Sequence, residues 1–224
     1  MKRIAGFCIG MAAACASFAG PVAFQPLTQA CEEALALSAL PASMRAQASV
    51  YVWRGDGFEK TISSDGGFHC VVQRNHPEAI IPECVTSTGE HSILEGIMER
   101  TKMVAAGMPG DDADEKAIDM IRNGELAAPT GPGVNYMLSA YNRIYSGRSQ
   151  EVRQFPPHSM FFAPDASSEI VGGSYAMALD NKGFPFVVEA ASHSYIVTIT
   201  EKSSESVDVE EYCEGQIDLA SRFK

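Results

Sequence analysis

Two histidines sit in the passages best suited to carry chemistry. His158 lies in PPHSMFFAP, where Pro156 and Pro157 stiffen the entrance and Pro164 closes a short apolar extension. Such a frame can hold an imidazole in one orientation at a pocket edge. His193 lies in EAASHSY, four residues after Glu189. An imidazole titrating near its ordinary value of about 6.5 suits either base catalysis or metal ligation. If His158, His193 and Glu189 converge, they could bind a divalent cation or perform acid–base work. The competing reading is structural. His158 shares a strand face with Met160 and Phe162, and His193 shares one with Tyr195, Val197 and Ile199, as partly buried histidines do.

No stronger motif competes with these. Serines flank His193, and Ser174 follows Gly172-Gly173, but none sits in a G-x-S-x-G elbow. The H-E-x-x-H pattern, the EF-hand loop and the P-loop are absent, so the sequence specifies neither a cofactor nor a metal. His91 and Glu95 are explained by an exposed helical i, i+4 pair. Tyr51, Trp53 and Phe58 read as an aromatic cluster across a hairpin, with a ligand groove as the alternative. Arg54 and Arg74 are either rim cations for an anion or ordinary surface charges.

The N-terminus sets the expected compartment. Met1-Lys2-Arg3 precedes an uncharged stretch from Ile4 to Phe18, and Ser17-Phe18-Ala19 supplies small residues before a cut. Those are the three parts of a secretory signal peptide over residues 1–19. The apolar run falls short of the ~20 residues that span a bilayer, so the mature chain is expected to carry no transmembrane segment. A second reading makes Cys15, after Ala12-Ala13-Ala14, a lipidated first residue, and a third makes this stretch an ordinary buried helix. Export leads to a periplasmic or extracellular protein, free or tethered through Cys15. The mature chain then holds 15 basic against 28 acidic residues. Such acidity argues against nucleic-acid binding and leaves a small molecule or a cationic partner.

Four cysteines remain in an oxidising compartment: Cys31, Cys70, Cys84 and Cys213. Of three connectivities, the simplest joins Cys70 to Cys84 across a polar, proline-containing loop and Cys31 to Cys213 near the termini. The rival is zinc, for which the wide spacing without C-x-x-C is poorly suited, even with His69 and His76 near Cys70.

The elements that must position these residues suggest an α+β fold. It is read as a mainly antiparallel sheet with an N-terminal helix and a central helical hairpin, in one domain over residues 20–224. Thr28 caps a helix over 28–40, stopped by Pro41. Residues 48–53, 58–62 and 68–73 alternate as strands, most simply as a meander. An apolar stripe predicts a helix over 91–106, and a second amphipathic helix follows over 111–122. Further strands are expected at 134–138, 160–163, 175–179, 184–189 and 195–200. The acidic, polar segment 201–211 reads as solvent-facing or loosely ordered.

The pieces CVVQR at 70–74, GPGVNYMLS at 131–139, PHSMFFAP at 157–164 and HSYI at 193–196 resemble a family of uncharacterised exported bacterial proteins. The resemblance spans most of the mature chain and implies bacterial export and importance of the His158 region, but no activity. Three functions follow as expectations. The first is an exported small-molecule-binding or accessory protein. The second is a hydrolase or other small-molecule enzyme using His158 and His193. The third is an envelope structural or protein-interaction domain.

Overall fold

Thr28 starts the first helix by accepting the Cys31 N–H on its hydroxyl at 3.3 Å, which satisfies one of the donors a helix start leaves open. Helix α1 runs Gln29–Leu37 and buries Leu35 and Ala36 completely. The computed structural model describes residues 20–190, 193–200, 203–204 and 207–223, with the backbone alone at 189, 190, 193 and 207. The signal-peptide reading of residues 1–19, including Cys15, falls outside the described residues.

The chain then builds β1 (Ala48–Trp53), β2 (Phe58–Ile62), β3 (Phe68–Gln73) and β4 (Ile81–Thr86). Later strands are β5 (Val134–Met137), β6 (Arg143–Ser146), β7 (Glu151–Gln154), β8 (His158–Phe162), β9 (Pro185–Ala190) and β10 (His193–Ile199). Eight of them form one sheet in the order β2-β1-β3-β4-β5-β8-β10-β9, while β6 and β7 make a separate hairpin. Every neighbouring pair is antiparallel except β1–β3, which is parallel. A simple meander would have put β2 in the middle. Composition explains why it does not: β2 exposes Glu59 and Lys60, a pattern suited to an edge. β3 buries Cys70, Val71 and Val72 and therefore belongs inside.

Alternation along the central strands feeds two cores. Cys70, Val72 and Cys84 pack with Leu35 and Leu40 on one face of the sheet. Val71, Val85, Phe162, Tyr195 and Val197 form the other with Ile93 and Ile97. The expected central helical hairpin is present, and the structure sets it over this second face. A π turn at Glu90–Leu94 leads into α2 (Glu95–Ala105), and α3 (Gly110–Arg122) follows. Among the described residues no helix is long and apolar enough to cross a membrane.

Both disulfides form, Cys31–Cys213 and Cys70–Cys84. The second does not close an irregular loop. Cys70 and Cys84 are direct partners in the β3–β4 register, and β4 itself was concealed by Pro82 and Glu83 in the linear pattern.

Other expectations are corrected. Residues 175–179 are not a strand but part of α5 (Tyr175–Asp180), because Ser174 caps the Met177 N–H at 3.3 Å. A short helix, α4 (Ser168–Val171), precedes it and ends at Gly172, whose φ of 75° is the left-handed cap glycine tolerates. The end of the polar 201–211 segment belongs to a helix, α6 (Val207–Tyr212), which buries Val209 beside Cys213. Arg74 is no rim cation. It is 2% exposed and lies 3.9 Å from the buried carboxylate of Glu32. Burial raises the Glu32 pKa, and Arg74 offsets part of that rise. Arg54 does remain at the surface, bonded to Glu59 at 2.7 Å and to Gln29 at 2.6 Å.

Candidate functional site

A cavity of about 360 Å³ lies between the second sheet face and the α2–α3 pair. Its floor comes from alternate residues of four strands, Ile81 and Glu83 of β4, Asn135 and Met137 of β5, His158 and Met160 of β8, and Tyr195 of β10. Ser92, Gly96 and Arg100 line it from the α2 side, and Asp114, Ala117 and Ile121 from α3. The β6–β7 hairpin adds Arg143 and Ile144, with Phe155 just beyond β7. A second hollow of about 980 Å³ shares Asn75, Asp114, Ile144 and Phe155 with it. An apolar lining with a few polar groups set into it is the usual character of a small-molecule site.

The hairpin is fixed by a side chain acting as backbone. Asn75, in the β3–β4 connection, donates Nδ2 to the Tyr145 carbonyl at 2.9 Å and accepts the Tyr145 N–H on Oδ1 at 3.1 Å. His76 stacks on the Tyr145 ring at 4.5 Å. Gly110, the first residue of α3, abuts the same loop: a Cβ there would stand 2.4 Å from the Asn75 carbonyl oxygen. One loop thus sets both the hairpin and the start of α3 against the cavity.

His158 is where the proline frame suggested, at the cavity and 2% exposed. Its Nδ1 lies 2.9 Å from the Pro156 carbonyl, which can only accept, so Nδ1 carries the proton and Nε2 the lone pair. Phe155 meets the ring edge-on at 4.7 Å. Burial lowers its pKa to about 4, against the Pro156 hydrogen bond, so the ring is neutral at physiological pH.

The sheet does not gather the histidine pair by register. His158 stands opposite Ile199, whereas His193 opens the same β10 strand six residues earlier. At about 3.3 Å per residue that is roughly 20 Å of strand. The side chains of His193 and Glu189 fall outside the described residues.

The charged groups at the cavity escaped the sequence reading. Glu83 is 3% exposed and accepts a hydrogen bond from Asn135 Nδ2. Burial raises its pKa, while Arg100 and the Asn135 bond pull it back. Burial also works against the Arg100 charge, but Asp114, at 3.2 Å, and Glu83 outweigh it and keep the guanidinium firmly protonated. Burial pushes the Tyr195 phenol above its ordinary value, with Arg100 opposing, so it stays neutral. Three lining residues carry buried atoms without a hydrogen-bond partner among the described residues: Ser92 Oγ, Asn135 Oδ1 and Asn142 Oδ1.

No family model, curated protein or solved structure matches the chain.

A second polar cluster lies toward the β2 edge. His69 Nε2 is 3.3 Å from Glu90, and the Tyr51 hydroxyl lies 3.5 Å from His69 Nδ1 and 3.4 Å from Glu90. Burial lowers the His69 pKa, with Glu90 opposing. Among the described residues no group of three His, Cys, Asp or Glu side chains is placed to hold a metal ion. The His91–Glu95 pair is exposed, 3.2 Å apart, as the i, i+4 spacing implied. Trp53 and Phe58 do meet across the β1–β2 hairpin, edge-on at 5.2 Å, while Tyr51 turns to His69 instead.

Proposed function

We propose that this chain is an exported small-molecule-binding protein whose ligand occupies the cavity between the sheet and α2–α3. The observation that carries this reading is the placement of Glu83, Asn135, Asn142 and His158, all nearly inaccessible, along a cavity of about 360 Å³ that they share with apolar side chains such as Ile81, Ile121 and Met160. Buried polar groups of this kind destabilise a fold unless paired, so their concentration here favours a site over a packing accident. The N-terminal signal pattern supports export.

Ligand-observed NMR with indole- to naphthyl-sized fragments tests the binding role. Fragments should bind the wild-type chain and fail to bind Ala117→Phe, which fills the cavity from α3. Binding that survives this substitution in a folded variant, or no binding at all, would overturn the reading. Secretion from a bacterial host with cleavage after Ala19, read by intact mass, tests export.

A further inference from the structure

Resting on that binding role, we infer that the cavity takes a small monocarboxylate with an apolar body, its head held by the Arg143 guanidinium and the Gln73 amide. Both residues line the cavity and belong to one end of it. Gln73 closes β3 directly opposite Ile81. Arg143 is clamped to the residue before that, Ile80, whose N–H donates to the Arg143 carbonyl at 2.8 Å and whose carbonyl accepts the Arg143 N–H at 2.7 Å. Gln73 is 6% exposed, yet its side chain makes no hydrogen bond among the described residues. Its amide is not sealed by neighbouring atoms, as Ser92 Oγ and Asn142 Oδ1 are. The N–H groups of Gln73 therefore open on the cavity and lack the acceptor that a buried amide needs.

Charge favours an anion at this end. Arg100, the other cation of the lining, is committed, donating to the Gly96 carbonyl and to Asp114, each at 3.2 Å. Arg143 has no carboxylate within ion-pair distance among the described residues. Glu83 stands two residues beyond Ile81 along β4, roughly 7 Å of strand from that end. It already accepts from Asn135, and burial acts against its charge, so it repels an anion weakly. A carboxylate suits these donors. Its two coplanar oxygens match the guanidinium fork, and either can also accept a Gln73 N–H. Apolar surface for the body adjoins the head. Ile144 follows Arg143 and packs against Ile81 and Met137, and Ile118 and Ile121 line the cavity from α3.

The test compares heads on one body: 3-phenylpropanoate, 3-phenylpropanamide and 3-phenylpropan-1-ol, titrated calorimetrically into the wild-type chain. The propanoate should bind at least tenfold more tightly than either neutral compound. Arg143→Gln, checked for folding by circular dichroism, should bring it to within twofold of the amide, and Gln73→Leu should narrow the preference. Ala117→Phe should abolish propanoate binding, as a cavity ligand requires. The wild-type comparison stands even if a variant does not fold. Equal affinity for the three, a preference for a neutral head, or a propanoate preference unchanged in folded Arg143→Gln or Gln73→Leu overturns the carboxylate inference and leaves cavity binding intact. Propanoate binding retained in folded Ala117→Phe, or no binding by any of the three at millimolar concentration, overturns both.

Discussion

Asn75 pairs with Tyr145 as a neighbouring strand would, using its side-chain amide to donate to the carbonyl at 2.9 Å and to accept the N–H at 3.1 Å. A two-stranded hairpin is marginal by itself, so β6–β7 depends on such anchors. Asn75→Ala removes both bonds and should cost about 1–3 kcal/mol in urea unfolding. Exchange of the Tyr145 amide hydrogen should quicken more than exchange in β3. Equal protection in variant and wild type would show that the hairpin is held elsewhere.

Gly110 offers the complementary change from the helix side. A methyl group there meets backbone, the Asn75 carbonyl, at 2.4 Å, and cannot be accommodated by rotating a side chain. Gly110→Ala should destabilise the fold by about 1–3 kcal/mol despite the better helix propensity of alanine. An unchanged denaturation midpoint would mean that α3 slides freely past the loop.

His158 links stability to pH. Its folded pKa is about 4 against an ordinary 6.5, so the unfolded chain binds its proton first as the medium acidifies. The contribution is present above pH 6.5 and is lost as pH falls toward 4, reaching about 3 kcal/mol. Glu83 and Glu32 act in the opposite sense. Their raised values let the folded state hold protons longer, adding stability as pH falls. Subtracting His158→Gln from wild type, by urea unfolding at several pH values, isolates the histidine. A difference independent of pH would show that the ring is not kept neutral by burial.

Helices α1, α2 and α3 and most central strands were legible because their signals are local. Thr28 before an alanine-rich run, the stripe Ile93, Leu94, Ile97 and the alternation around Val71 each need only nearby residues. β4 was hidden because Pro82 and Glu83 break an apolar pattern. Each lies on a strand whose neighbours supply what the chain lacks locally. Helix α5 was mistaken for a strand because Tyr175, Met177 and Leu179 alternate with small residues, and the capping serine was the overlooked signal. The site was legible at His158 alone. Glu83, Arg100, Asn135 and Asn142 belong to no motif, and they meet only through the register of β4, β5 and β8 beneath α2.

The two disulfides should differ in weight. Chain entropy assigns about 5 kcal/mol to the Cys31–Cys213 link, with its separation of 182, and about 3 kcal/mol to Cys70–Cys84, with a separation of 14. Paired Cys→Ala variants compared by guanidinium unfolding should follow that order. The reverse order would place the larger share in the packing of the β3–β4 pair.

The Cys31–Cys213 bridge joins α1 to the turn after α6 and makes nearly the whole fold a covalent ring. A single backbone cut between those cysteines, for example at the β6–β7 tip around Gly147, opens the ring without releasing a fragment. A nicked molecule would keep its full mass under non-reducing conditions and fall into two pieces only when reduced.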